Sequence, residues 1–182
     1  MSSTTLVRQF DVRPALSVPG LPALVVRRTG FTPGAGPVIV AVDADGQAAG
    51  LLRYGRTVAA ELGVALRVVY VWTACRPPHC PGHRSCHDTL GDAERLLNGL
   101  LDRHLPLGAG VDVEREVLRS TEAAPALEAL SRHAGLLVVG SSSDLPAPGR
   151  SLGSTTRALL RRAGCPLAVI PYRASGATRS GW

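Results

Sequence analysis

LLVVGSSSDLPAPGRSLGSTTRALLRRAGCPLAVIP, residues 136–171, is the stretch from which the fold can be read. LLVVG at 136–140 is fully apolar and of strand length. A loop of small residues follows it, and Gly153, Ser154 and Thr155 open a helix that runs from about Ser154 to Ala163. LAVI at 167–170 is a second apolar strand. Glycines and hydroxyls ahead of a helix N-terminus make a site for an anion, because backbone N–H groups and the helix dipole both favour negative charge there. The same residues also read as an ordinary loop and N-cap, and local sequence leaves both readings open.

Working outward, the alternation of strand and helix extends back to Val38. VIVAVD at 38–43 is a β-branched run of the kind buried on both faces of a parallel sheet. Gln47 to Leu62 then places Ala48, Leu51, Leu52, Gly55, Val58, Ala59 and Leu62 on one helical stripe, with Gly63 as a C-terminal stop. LRVVYVW at 66–72 is the next strand, and Asp88 is positioned to cap a helix whose inner face is Leu90, Ala93, Leu97, Leu100 and Leu101. VDVEREVL at 111–118 alternates valines with charges, which predicts a strand at or near an edge. Ser120 or Thr121 then caps a helix to about His133, with Pro125 in its first turn. The expected fold is α/β: a doubly wound, five-stranded, mostly parallel sheet with helices on both faces. Its binding crevice lies beyond the carboxyl ends of the strands, where the winding reverses.

The order and spacing of these residues resemble the universal stress protein family. Nucleotide-binding members of that family carry Gly, two residues, Gly, nine residues, then Gly followed by Ser or Thr. Gly140, Ser143, Gly153 and Ser154 fall at those places here, with DLPAPGRSL between the second and third. The likeness runs from Val38 to about Tyr172 and includes the VIVAVD and VVYVW strands, VLRSTEAAPALEAL and the CPLAVIP ending. It implies a Rossmann-like fold of the adenine nucleotide alpha hydrolase type and a site for adenine nucleotide, ATP in particular. Carried over by position, Asp43 lies near the adenosine, and Val71 offers its backbone to adenine. Val139 and Gly140 line the same crevice, Ser143 stands in the phosphate loop, and Gly153, Ser154 and Thr155 hold phosphates. Ser143 departs from the family's glycine, and Pro146 and Pro148 each remove a backbone donor from that loop, so binding weaker than in members with all three glycines is expected. Arg150 could return a charge suited to phosphate. The resemblance also implies a homodimer joined along the last strand, an apolar edge that invites pairing with a second copy.

Composition bounds the rest. The chain has 182 residues, 45% hydrophobic and 19% charged, which fits one globular domain and excludes collagen, coiled coil and a wholly disordered chain. Only seven residues are aromatic, so the core is aliphatic. All 20 basic residues are Arg, and half of the net charge of +6 falls within residues 1–36. With few aromatics and no Arg stripe, nucleic-acid binding is disfavoured. No run of 18 apolar residues occurs and MSSTTLVRQFDVRP lacks a signal's apolar core, so no membrane span and a cytoplasmic location are expected.

Residues 1–36 are Pro- and Gly-rich with one apolar patch, Leu24 to Val26, and read as a partly flexible arm. Residues 37–172 form the domain and 173–182 a flexible tail. The loop TACRPPHCPGHRSCHD, 73–88, gathers Cys75, His79, Cys80, His83, Cys86 and His87 at spacings that match no standard zinc motif. It reads as a flexible insertion, with a metal or redox sensor as the alternative. No catalytic constellation stands out, and there is no Lys. The expected function is therefore stress response through a dimeric nucleotide-binding module, the alternative in the same crevice being slow nucleotide hydrolysis.

Overall fold

The computed structural model describes residues 10–11, 18, 23–28, 36–43, 45–74, 86–105, 110–141 and 152–171. In chain order the elements are β1 (Phe10–Asp11), β2 (Leu24–Arg28), β3 (Val38–Val42), α1 (Asp45–Leu62), β4 (Leu66–Ala74), β5 (Cys86–His87), α2 (Leu90–His104), β6 (Val113–Arg119), α3 (Ala123–Ser131), β7 (Leu136–Gly140), α4 (Ser154–Arg162) and β8 (Leu167–Ile170).

β3 is the central strand. It pairs in parallel with β4 on one side and β7 on the other, while β6 extends the sheet beyond β4 and β8 beyond β7. From β3 in the middle the chain winds out to β6, returns to β7 and winds out the other way to β8. The reversal falls between β3 and β7, as the doubly wound reading requires.

Both faces of this sheet are covered, which is why its strands read as unbroken apolar runs. Val38, Val40 and Val42 of β3 join Leu66, Val68 and Tyr70 of β4 beneath α1 and α2. The alternate residues Ile39, Val69 and Val71 lie on the other face with Leu127 of α3 and Leu159 of α4. Each strand divides its side chains between two cores because successive residues point to opposite faces.

The helices follow their sequence signals with local differences. α1 buries the expected stripe except Leu62, which is half exposed, and it adds Tyr54, fully buried between Leu51 and Val58 on the same face. α2 is capped by Thr89 rather than Asp88. The Thr89 hydroxyl accepts from the Asp92 N–H while the Asp92 carboxylate accepts from the Thr89 N–H, a reciprocal box that Asp88, one residue earlier, cannot form. Leu90, expected on the inner face, opens the helix and is half exposed. α3 begins after Glu122, which makes no side-chain capping bond, because the Ser120 hydroxyl bonds the Glu122 backbone in a turn instead. Pro125 falls in the first turn of α3, where its missing N–H costs nothing.

The sheet is wider than the five parallel strands expected. β5 pairs with Thr73 and Ala74 at the end of β4. At the other side β2 lies antiparallel against β8, with Leu24 opposite Val169, Val25 opposite Ala168 and Val26 opposite Leu167, and β1 pairs in turn with β2. The β8 edge, expected to be open for a second copy, is therefore occupied by the chain's own apolar patch. At the β6 side the strand is charged, and Arg67 bridges from β4 to Glu114 at 2.6 Å and to Glu116 at 3.6 Å.

Two outcomes follow from this packing. A Cβ on Gly55 would stand 2.2 Å from Val40 Cγ2, inside the seam between α1 and β3. Gly55→Ala should lower the denaturant midpoint, because overpacking of about 1–3 kcal/mol exceeds the roughly 1 kcal/mol that Ala gains in helix propensity. An unchanged midpoint would mean that the seam is looser than described. Burial, with the Glu61 charge adding to it, pushes the Tyr54 phenol up to about 12 from an ordinary 10.0. Burial likewise pushes the Cys165 thiol up to about 12 from 9.0, against a smaller opposite effect of the Leu137 backbone. Both groups hold their protons longer in the fold than in the unfolded chain, so stability should be intact below about pH 9 and decline from there to pH 12. Denaturant midpoints that stay level from pH 8 to 11 would contradict this.

Candidate functional site

A cleft of about 230 Å³ opens at the carboxyl ends of β3 and β7, at the winding reversal. Its floor is made by Ala41 and Val42 of β3, Val69 and Val71 of β4 and Val139 of β7. Ala123 and Leu127 of α3 form one wall, and Gln47 and Leu51 of α1 face them. Asp43, immediately after β3, stands exposed at the rim, and Gly153, Ser154 and Thr155 close the far side. An apolar floor with a few convergent polar groups is the usual form of a small-molecule site.

The start of α4 is fixed by bonds to the end of β7. The Gly153 N–H donates to the Ser141 carbonyl at 2.8 Å, and the buried Thr156 hydroxyl donates to the Gly140 carbonyl at 2.7 Å. Gly153 is the N-cap with φ −55° and supplies no capping side chain. Among the described residues, no side chain at the N-cap serves the amides of the first turn. Gly140 is closely approached by α1: a Cβ there would fall 1.9 Å from Gln47 Oε1, the far end of a flexible side chain that would have to swing aside. This carboxamide packs over the end of β7, so the glycine that opens the sequence motif makes room for a side chain of α1.

Asp43 is the one charged residue among the described lining residues. No basic side chain is among the described lining residues, so the helix dipole at the start of α4, across the cleft from Asp43, is what would favour an anion. Of the residues singled out in the sequence, Asp43, Val71, Val139, Gly140, Gly153, Ser154 and Thr155 line this single cleft. Ser143, Pro146, Pro148 and Arg150 lie outside the described residues. Sequence reasoning missed Gln47 and Thr156. Thr156 extends the Gly-Ser-Thr run by one residue, and Gln47 sits one helical turn beyond Asp43, but neither has a signature apart from the tertiary contact it makes.

Of the Cys/His loop, Cys75, His79, Cys80 and His83 lie outside the described residues. The His87 ring Nε2 is 2.7 Å from the Tyr70 hydroxyl, edge-on to that ring, and this contact ties β5 to β4. Among the described residues no group of three metal-ligating side chains occurs, and no helix is long and apolar enough to cross a membrane.

A parallel sheet wound outward in both directions from β3, with its cleft at the reversal and a Gly-Ser helix start beside it, defines a doubly wound α/β protein. Residues 35–171 match the universal stress protein family, and the chain belongs to that family. A family member from Burkholderia pseudomallei is similar in structure at a TM-score of 0.53 and 24% identity, covering 75% of this chain and 96% of that one. A universal stress protein in complex with cAMP is similar at a TM-score of 0.53 and 25% identity, covering 77% of this chain and 100% of that one. The Archaeoglobus fulgidus protein in complex with dAMP is similar at a TM-score of 0.51 and 23% identity, covering 74% and 97%. No curated protein matches the chain.

Thr156→Val tests how the site is held together. Removing the buried Thr156 hydroxyl from the half-buried Gly140 carbonyl should cost about 1 kcal/mol in denaturant unfolding while keeping side-chain volume. Stability equal to wild type would show that the hydroxyl does not anchor α4.

Proposed function

We propose that this chain is a stress-response protein that acts by binding an adenine nucleotide, ATP among them, in the cleft between β3, β4, β7 and α4. The observation that carries this reading is the convergence of Asp43, Val71, Val139 and Gly140 with the N-terminus of α4 on one cleft. The family's position-by-position motif supports it, and so does the cAMP complex of a structural relative at 25% identity. The apolar floor would take the base, Asp43 would accept from the ribose hydroxyls, and the phosphates would lie against the amides and hydroxyls of Ser154 and Thr155. Val71, whose backbone sits at the sheet's carboxyl end, would meet the adenine edge.

The expected homodimer does not belong to this proposal in its direct form, since β2 pairs with the β8 edge that the dimer would use. A binding role, in the cytoplasm, is the reading we prefer to catalysis. The only carboxylate among the described lining residues is Asp43 at the rim, and a nucleotide hydrolase needs an oriented water and charge neutralisation at the phosphate.

Calorimetry with AMP, cAMP and ATP, each with and without Mg²⁺, tests the proposal. Wild type should bind adenine nucleotide, and Gly153→Asp should lose at least tenfold in affinity because a carboxylate at the start of α4 repels phosphate. The backbone at Gly153 has negative φ, and Asp is a favoured N-cap, so this variant should fold at least as stably as wild type. Equal affinity in the two proteins, or no binding by wild type, would overturn the reading. Turnover of ATP that requires Mg²⁺ would replace it with hydrolysis.

A further inference from the structure

We propose that Gln47 is the residue with which this cleft distinguishes a nucleotide from its nucleoside: its carboxamide donates to the first phosphate, between the sugar at Asp43 and the start of α4. The inference rests on the adenine nucleotide reading of the cleft and adds to it a specificity-determining side chain from α1. Gln47 stands in the first turn of α1, half-buried, and lines the cleft together with Asp43. The described lining residues with polar side chains are Asp43, Gln47, Ser154, Thr155 and Thr156. The Asp43 carboxylate offers only acceptors, and the Thr156 hydroxyl already donates to the Gly140 carbonyl. Gln47 is the one residue of this set with side-chain N–H groups, and it carries them without a charge.

Its place in the cleft follows from the sheet. β3 and β7 run in parallel with Val38 opposite Leu136, Ile39 opposite Leu137 and Val40 opposite Val138. Carried on by two residues, that offset sets Gly140 level with Val42, with Asp43 one residue further along. From the other side α4 is tied to the same point, by the Gly153 N–H to the Ser141 carbonyl at 2.8 Å and the Thr156 hydroxyl to the Gly140 carbonyl at 2.7 Å. The end of β7 therefore lies between Asp43 and the first turn of α4, and a ligand with its sugar at one and its phosphates at the other crosses over Gly140. Gln47 is at that crossing. A Cβ built on Gly140 would stand 3.0 Å from the Gln47 carboxamide carbon and 3.6 Å from its Nε2, with Oε1 closer still, so the carboxamide fills the space above the glycine. The part of a nucleotide that passes there is the ester joint between the sugar and the first phosphate. The last torsion of a glutamine has a broad, two-fold preference, so turning the carboxamide exchanges Oε1 for Nε2 and brings a donor to a phosphate oxygen without moving α1. Glutamate at this position has nearly the same shape and the opposite effect, because it sets acceptors and a negative charge against the phosphate.

Calorimetry of the full chain with AMP and with adenosine, comparing wild type, Gln47→Glu and Gln47→Ala, tests this. Gln47→Glu should lose about tenfold or more in AMP affinity and less than roughly threefold in adenosine affinity, because the added charge meets only the phosphate. Gln47→Ala should lose about fivefold for AMP, the worth of one hydrogen bond, and keep adenosine. Both variants should fold as wild type does, since Ala is the best helix former and Glu is favoured in a first turn, and equal thermal midpoints check this. AMP affinity within about twofold of wild type in Gln47→Glu, or equal losses for AMP and adenosine, would overturn the proposal while leaving the cleft reading in place. Wild type that binds neither ligand would overturn that reading, and the role of Gln47 with it.

Discussion

β3 is bonded along both edges and buried on both faces, and every other element takes its place from that constraint. A strand so enclosed needs apolar side chains throughout, which Val38 to Val42 supply. It also needs a helical layer on each side, and the chain provides α1 and α2 on one face and α3 and α4 on the other. Leaving β3 in one direction and returning to β7 on its other side opens a gap at the carboxyl ends of these two strands. The cleft is a consequence of the winding, and the polar groups at its mouth come from Asp43 just after β3, Gln47 of α1 and the start of α4.

Much of this was legible because the signals are local. VIVAV, LRVVYVW, LLVVG and LAVI are too apolar for surface strands and too short for helices, and the intervening stripes have helical spacing. The crevice residues could be placed because Asp43 and Gly140 stand at strand ends, where a doubly wound sheet binds its ligands. What was not legible depends on contacts between distant parts of the chain. Thr89 and Asp88 are equally good caps by composition, and the choice is made by the reciprocal bond to Asp92. Gln47 matters because its carboxamide reaches Gly140, 93 positions away in the chain. Thr156 is an ordinary helical threonine until the β7 carbonyl is seen beside it.

The arm is the largest such case. Leu24 to Val26 is three residues long among Pro and Gly, well short of what marks a strand on its own, and it is the edge of β8 that these three residues pair with. Edge protection at the two sides of the sheet therefore has two chemical forms, charge on β6 and a tethered strand on β8. Neither disturbs the cleft, because the covered edge lies on the far side of β8 from the reversal.

The central claim is that the reversal between β3 and β7 is where this chain takes an adenine nucleotide. Backbone amide shifts of the full chain titrated with AMP test it residue by residue. The account predicts saturable changes centred on Val71, Gly140, Ser154 and Thr155, with the α2 and β6 amides undisturbed. Saturable changes centred elsewhere, or none at millimolar nucleotide, would contradict it.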